Sequence, residues 1–187
     1  MNTRIFFIAA LLAAPLPASA EAYTAVDVEQ SRIAFGFRQM GVSMQGRFGS
    51  FRAELDFDPA RPESASATLE IELESFDAGV RDLNREVHGS QWFDTANHPV
   101  ARFVSSSVTP LGESRYELAG DLTLKGTTRP LRTPVTVSIA DGQVLFEGEF
   151  VLERLDYDIG TGAWRDTRVV ANEVQVRFSL AALQVPE

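Results

Sequence analysis

Residues 135–152, VTVSIADGQVLFEGEFVL, contain the clearest strand pattern in the chain. Val135 and Val137 alternate with polar residues before the central Asp141-Gly142 pair, and Val144 alternates with its neighbours after it. Side chains of a β-strand point to opposite faces in turn, so this period of two predicts strands with one apolar face. An Asp-Gly pair between two such runs is typical of a two-residue hairpin. The stretch therefore predicts an antiparallel hairpin.

The same period-two pattern recurs along the chain, in residues 32–38, 51–57, 67–74, 116–124 and 174–180. Turn signals separate most of these runs, including Pro110 with Gly112, and no β-α-β rhythm is present. We therefore predict eight or nine strands in an antiparallel sheet. Their apolar faces require a sandwich, a filled barrel or a hollow barrel, and strands of about ten residues favour a barrel. Composition leaves the filled and the hollow barrel open.

One segment has a helical rather than a strand pattern. Val80, Leu83 and Val87 are spaced three and four residues apart, which predicts a short helix in the long connection near residues 77–90. Asp77 is placed to cap its start and Gly89 to end it.

Composition excludes several classes of protein. The 187 residues include no Cys, which excludes a disulfide scaffold, a thiolate zinc site and cysteine catalysis. The formal net charge of −9 argues against a nucleic-acid partner, since such proteins carry a basic surface. A hydrophobic share of 44%, with 13 Phe, is too high for a disordered chain.

The first twenty residues have the pattern of a secretory signal peptide. Arg4 is their only charge, the ten residues from Ile5 to Ala14 are apolar, and Ala18-Ser19-Ala20 is a small-residue cleavage site. Ten residues are too few to cross a bilayer, which needs about 20. We expect cleavage after Ala20, a single domain over residues 21–187, a periplasmic location and no stable membrane insertion.

Ordered motifs over about residues 22–181 resemble the YceI family of secreted bacterial proteins. The motifs that carry this resemblance are Tyr23 to Phe35, Gly46 to Phe51, Leu55 to Pro59, Phe76 to Asp82, Phe93 to Ser105, Gly120 to Pro130 and Arg154 to Gly160. The strongest match is Gly120 to Pro130, which resembles G-x-L-T-L-x-G-v-T-r-P. One departure is Asn84-Arg85, which stands where the family often has His-Leu.

The resemblance implies an all-β, extended lipocalin-like antiparallel β-barrel of about eight strands. It also implies a non-catalytic carrier whose interior holds a long-chain lipid, either a polyisoprenoid or a quinone-type (ubiquinone-like) lipid, and no other cofactor. Residues 164–174 resemble YceI-like domains fused to cytochrome b561 modules, which suggests a membrane or cytochrome b561-type partner. A homodimer is also open.

The alternating apolar residues are the candidate lining of such a tunnel, with an ordinary packed core as the alternative. The candidates are Phe35, Phe37, Phe51, Leu69, Ile71, Phe103, Leu118, Leu122, Val137, Phe146 and Phe150. Arg81, His88 and Trp92 are the candidate mouth residues, since Arg pairs with phosphate or ring oxygens and Trp stacks on rings. The alternative is a loop packed on the barrel end.

Sites for other chemistry are weaker. His88 and His98 lack a recognised metal-ligand spacing with Glu86 or Asp94, so we predict no metal. Asp156 and Asp158 lie two residues apart, but a solvated face or turn explains them better than acid–base catalysis. Likewise, an ion pair is the simplest interpretation of Arg154 beside Asp156. We predict no catalytic residues. The alternatives are a lipid-modifying enzyme that uses Arg81 and His88, and a filled structural or partner-binding barrel.

Overall fold

The computed structural model of the protein describes residues 22–184. The predicted signal peptide lies outside these residues, so both the cleavage after Ala20 and the domain boundary at residue 21 stay predictions. Within the described residues, no helix is long and apolar enough to span a membrane.

The described chain is almost entirely β-structure. Its strands are β1 Tyr23–Gln39, β2 Val42–Phe48, β3 Phe51–Asp56, β4 Ser66–Glu72, β5 Phe76–Asp77, β6 Val100–Gly112, β7 Arg115–Leu124, β8 Thr127–Ala140, β9 Gln143–Glu153 and β10 Glu173–Gln184. One α-helix, α1 Arg81–Glu86, lies in the long connection before β6. Single turns of 3₁₀ helix occur at Pro62–Ser64, Leu73–Ser75, Arg154–Tyr157 and Gly162–Trp164.

The ten strands occupy eight positions in a closed antiparallel barrel. They are hydrogen-bonded in the order β3-β4-β6-β7-β8-β9-β10-β1-β2-β5. Two strands share one side of β1. β2 pairs with β1 from Gln39–Val42 to Ile33–Phe48, and farther along β1 the residue Tyr23 is bridged to Phe57, directly after β3. In the same way β4 pairs with β3, and β5 pairs with β2. The predicted lipocalin-like antiparallel barrel of about eight strands is confirmed.

The hairpin turns follow the sequence signals in part. Asp141 and Gly142 have φ values of 53° and 75° and join the paired residues Ala140 and Gln143, as predicted. Both residues have positive φ, which defines the turn type that matches the twist of the strands. The signal at Pro110 and Gly112 marks the end of β6: Pro110 lies within the strand, and Gly112 is its last residue, directly before the turn that leads to Arg115.

The predicted short helix is present, but its start differs from the expectation. Val80 precedes α1 and no side chain caps it. Asp77 instead accepts hydrogen bonds from the Gly79 amide at 2.8 Å and from Asn84 Nδ2 at 3.0 Å. The carboxylate therefore holds the approach to the helix and not its first turn.

The two ends of the barrel differ in what covers them. We call the end that carries the long segments 78–99 and 154–172 the loop end, and the opposite end, beside segment 57–65, the far end. A buried cluster at the loop end includes Phe35 stacked on Phe76, with ring centroids 4.6 Å apart. A second cluster lies at the far end around Tyr23 and Phe57.

Candidate functional site

The barrel encloses two adjoining cavities with almost wholly apolar walls. The first, of about 140 Å³, lies toward the far end, and the second, of about 130 Å³, lies toward the loop end. Six residues line both and form what we call the waist: Ile33, Ile71, Ala101, Leu122, Phe150 and Val176. Only side chains therefore separate the two spaces.

The packing of three phenylalanines against glycines explains why a chain so rich in Phe encloses space. Phe35 lies over Gly46 of the neighbouring strand β2, and Phe178 lies over Gly148 of β9 in the same manner. Phe103 similarly covers Gly120 of β7. A Cβ on any of these glycines would fall far inside the van der Waals radius of the ring. The rings can therefore lie along the wall because the opposing residue has no side chain.

The chemistry of these cavities favours hydrocarbon over water. Apolar cavities of about 150 Å³ stay dry and bind small hydrocarbons, because a buried water needs two to four polar partners. The walls of both cavities offer few such partners. The interior therefore suits an apolar chain, with each buried CH₂ group contributing about 0.8 kcal/mol to binding.

Ten of the eleven candidate tunnel residues line these cavities. Those around the first cavity are Leu69, Ile71, Phe103, Leu118, Leu122, Val137, Phe146 and Phe150, and those around the second are Phe35, Phe37, Ile71, Leu122 and Phe150. Phe51 is also buried, but it is not among the lining residues of either cavity. That any of these residues binds a ligand stays a prediction.

Arg154 forms part of the wall of the second cavity at the loop end. Its side chain is 2% exposed, and its guanidinium donates at 2.7–3.0 Å to five backbone carbonyls, those of Ala171, Ile159, Gly160, Trp164 and Val170. Burial lowers the pKa of this guanidinium below its usual range. A charged guanidinium satisfied only by carbonyls keeps a net positive charge at this end of an apolar cavity.

This arrangement corrects the interpretation of Arg154 as half of an ion pair with Asp156. Asp156 instead faces Arg129, which donates from Nε to the Asp156 carbonyl at 2.9 Å and whose Nη1 lies 3.7 Å from the carboxylate. The acceptors of Arg154 come from the segment 159–171, which no local pattern could place around it. In the sequence, only the resemblance of residues 154–160 to the family motif pointed to Arg154.

The structure separates the three candidate mouth residues. Trp92 is buried, lines the second cavity and lies under the Arg154 guanidinium, 5.8 Å from its ring centroid. Arg81 is exposed at the start of α1 and lines neither cavity. His88 is half-buried and also lines neither cavity. Trp92 is thus the one candidate of the three in contact with the interior.

Two buried polar atoms near this end have no hydrogen-bond partner among the described residues. They are Trp92 Nε1 and His88 Nδ1. An unpaired buried donor or acceptor costs free energy and calls for an explanation, such as a ligand or a water molecule. Trp92 lines the cavity through the carbon atoms of its ring, whereas its Nε1 is buried within the wall and would donate to a polar group only after the ring turned.

Asn84 and Lys125 hold the segments of the loop end together, and no sequence pattern identifies either as a site residue. Asn84 Oδ1 accepts from the Ala78 amide at 2.9 Å, and its Nδ2 donates to Asp77. The Asn84 side chain and the Gly79 amide hold the pKa of the Asp77 carboxyl below its usual value, with the Asn84 side chain as the largest cause. Lys125 Nζ donates to the carbonyls of Ser90 and Asp158 at 2.8 Å and so joins the two long segments.

Within the described residues no group of three or more potential ligands could hold a metal ion. Asp156 and Asp158 lie at and just after a 3₁₀ turn rather than on a strand, and Asp158 has a φ of 53°. Their placement matches the turn interpretation and gives no paired carboxylates on one strand face.

Together the fold and the cavities define a lipocalin-like antiparallel barrel with an apolar, hollow interior. A model of the YceI-like domain matches residues 24–182. The chain therefore belongs to the YceI family, as its motifs predicted.

Individual relatives agree with this assignment. The solved structure of Burkholderia cenocepacia BcnA superimposes with a TM-score of 0.82 at 39% identity, covering 84% of this chain and 99% of that one. A Saccharophagus degradans structure, described as a polyisoprenoid-binding domain implicated in plant cell wall breakdown, has a TM-score of 0.70 at 20% identity and covers 88% and 99%. That likeness shows the fold. A UPF0312 protein of Shewanella oneidensis is 32% identical over 136 residues, 70% of this chain and 71% of that protein.

Proposed function

We propose that this protein binds one long-chain amphiphile, a polyisoprenoid or quinone-type lipid, inside the barrel and carries it without catalysis. The observation that carries the proposal is the pair of apolar cavities that share the waist. The family and the Saccharophagus degradans structure described as polyisoprenoid-binding support the same class of ligand.

The loop end is the proposed site of the polar head of the lipid. The positive charge of Arg154 lies in the wall there, and the Trp92 Nε1–H has no partner among the described residues. A carbonyl, hydroxyl or phosphate oxygen at this end would be stabilised by the charge, and a turn of the Trp92 ring would let it accept from that N–H. The tail would then extend through the waist toward the far end.

A carrier role accounts for the positions of the candidate residues better than lipid modification does. An enzyme that used Arg81 and His88 would need both at the cavity, and neither lines it. Location in the periplasm follows from the signal-peptide pattern of residues 1–20 and belongs to the same proposal. The homodimer and the cytochrome b561-type partner stay predictions.

Native mass spectrometry of the protein exported by its own first twenty residues tests the proposal. We expect one bound long-chain lipid per chain, identified after extraction, or stoichiometric uptake of added geranylgeraniol. Energy transfer from tryptophan to added retinol, an isoprenoid probe, provides a second measurement in solution. A protein that carries nothing and takes up neither probe would contradict the carrier and support a structural or partner-binding barrel.

A further inference from the structure

The seam between β8 and β9 is only partly hydrogen-bonded. β8 pairs with β7 over ten residues, from Thr127–Leu124 to Thr136–Arg115. Toward β9, in contrast, β8 pairs only from Ala140–Gln143 to Val135–Gly148. The pairing of β9 with β10 on its other side continues to Glu153. The ladder between β8 and β9 therefore stops halfway along the barrel.

Two prolines explain why this ladder stops. The two-residue hairpin makes Ala140 and Gln143 a hydrogen-bonded pair, so even-numbered residues of β8 direct their backbone groups toward β9. Pro130 and Pro134 both occupy even-numbered positions. Proline has no N–H, so β8 cannot donate a ladder bond to β9 at position 130 or at position 134, the two positions on either side of Arg132.

A buried side chain substitutes for the bond missing at Pro134. Thr133 is 2% exposed, and its hydroxyl lies 3.1 Å from the Glu149 carbonyl, the acceptor that an N–H at position 134 would have used. The hydroxyl and the carbonyl form the last contact of the ladder. A single side-chain bond therefore replaces a backbone bond at this edge.

Below that contact lies a gap in the ladder that we call the β8–β9 window, residues 130–132 and 151–153. Its other limit is the bond from Arg129 Nε to the Asp156 carbonyl. Leu131 and Leu152 line the interior directly behind it, and the neighbouring Phe150 belongs to the waist. Outside, Val151 is 56% exposed. At the window, side chains without any backbone ladder bond separate solvent from the middle of the tunnel.

We propose that the β8–β9 window is the lateral entrance through which the apolar chain of the ligand reaches the waist. Opening the barrel between β7 and β8 or between β9 and β10 would break backbone ladder bonds, and opening the loop end would break the five hydrogen bonds of Arg154. At the window no ladder bond has to break: Leu131 and Leu152 have to move aside, and Thr133 has to release the Glu149 carbonyl. The inference rests on the proposed function and adds to it the route of loading.

Reversible cross-linking across the window tests this route. Arg132 and Val151 are exposed on its two sides, and the chain has no cysteine of its own. The double variant Arg132→Cys/Val151→Cys is closed with a short bis-methanethiosulfonate reagent and reopened with dithiothreitol. The matched control is Thr136→Cys/Glu147→Cys, an exposed pair on the same two strands inside the intact ladder. The rate of retinol uptake is followed by energy transfer from tryptophan.

We expect the window cross-link to slow uptake at least about tenfold, which is the change that about 1.4 kcal/mol in the barrier would give. Dithiothreitol should restore the rate, and the control should load at the rate of the unmodified protein. Equal rates in both cross-linked proteins, whether fast or slow, would overturn the window as the entrance.

The retinol affinity of the unmodified protein separates this inference from the proposed function. If that protein binds retinol and the window cross-link leaves uptake unchanged, the route is wrong and the carrier stands. If the unmodified protein binds neither retinol nor geranylgeraniol, both the carrier and its entrance are contradicted. Circular dichroism of each cross-linked protein shows that slow uptake does not come from unfolding.

Discussion

The two cavities have almost the same volume but different walls. The first, toward the far end, is lined almost entirely by residues of the strands and their apolar faces. The second is closed by the long segments of the loop end, which contribute Trp92, Arg154 and Val170. The difference teaches that both cavities offer a ligand an apolar surface, but only the second has a buried positive charge, that of Arg154, held behind its wall.

We expect the largest loss of stability from a substitution of Arg154, in the wall of the loop end. The change Arg154→Met keeps an unbranched chain but removes all five hydrogen bonds and leaves five carbonyls without a donor. We expect the free energy of unfolding to fall by about 3 kcal/mol or more, since each unsatisfied buried group costs about 1–3 kcal/mol. Denaturation with urea measures the change.

Arg129→Met is the matched control for this variant. Arg129 is half-exposed and bonds Asp156, so its loss should cost about 1 kcal/mol or less. If the two variants lost equal stability, the view of Arg154 as the residue that holds the loop-end wall together would be wrong.

The same comparison shows how far sequence can predict this molecule. The first cavity was largely predictable, because a period of two assigns each strand residue to one face whatever its partners are. This alternation predicts that Val137 and Phe146 face the interior, and both line the first cavity. Phe51 shows the limit of this reasoning. The alternation of residues along a strand predicts that a side chain points inward, but it does not predict which residues enclose empty space.

The loop end could not be derived in this way. The five acceptors of Arg154 come from residues far apart in the connection, and no periodicity relates them. Arg81 and Trp92 were selected together by residue type, yet one is exposed and the other buried. A hollow interior was equally beyond prediction, because it depends on cross-strand register, which sets Phe178 opposite Gly148.

A substitution in the waist should block the connection between the two cavities. Ala101 is buried and lines both, so Ala101→Phe should separate them. We expect the affinity to rise from geraniol to farnesol and then to stop rising at geranylgeraniol. Excluding three or four CH₂ groups would cost about 2–3 kcal/mol of binding free energy at about 0.8 kcal/mol each. Isothermal titration of the three alcohols measures it.

Ala53→Phe serves as the comparison, because Ala53 lines the first cavity but not the second. This variant should keep a continuous rise of affinity with chain length, although at lower affinity overall. A common length dependence in the two variants would show that the waist does not join the cavities into one site.

A smaller effect is expected where a ring lies on the wall of the first cavity. In Gly148→Ala the new Cβ would collide with the Phe178 ring and would lie 3.0 Å from the Pro134 carbonyl oxygen. Overpacking of this kind costs about 1–3 kcal/mol, and the displaced ring would enter the cavity. We expect both a lower melting temperature and weaker retinol binding. Unchanged binding would mean that Phe178 does not keep the cavity open.

The smallest effect concerns the loop end, where Asp77 makes the approach to α1 sensitive to acid. The Asn84 side chain and the Gly79 amide hold the pKa of the Asp77 carboxyl below its usual 3.8. A lowered pKa in the folded state means that the carboxylate stabilises this segment at pH values above 3.8. That contribution is lost as the pH falls below 3.8 and through the folded pKa.

Hydrogen exchange measured between pH 5 and pH 3, corrected for intrinsic rates, should therefore show loss of protection in residues 78–87 before residues 143–148 of β9. Asp77→Asn removes the titrating group, and we expect it to abolish the pH dependence of that difference. Other carboxyls with lowered pKa values, such as Asp58, act elsewhere, so global stability alone would not isolate this effect. Equal loss of protection in both segments would place the acid sensitivity outside the loop end. The loop end would then be as resistant to acid as the strand wall of the first cavity.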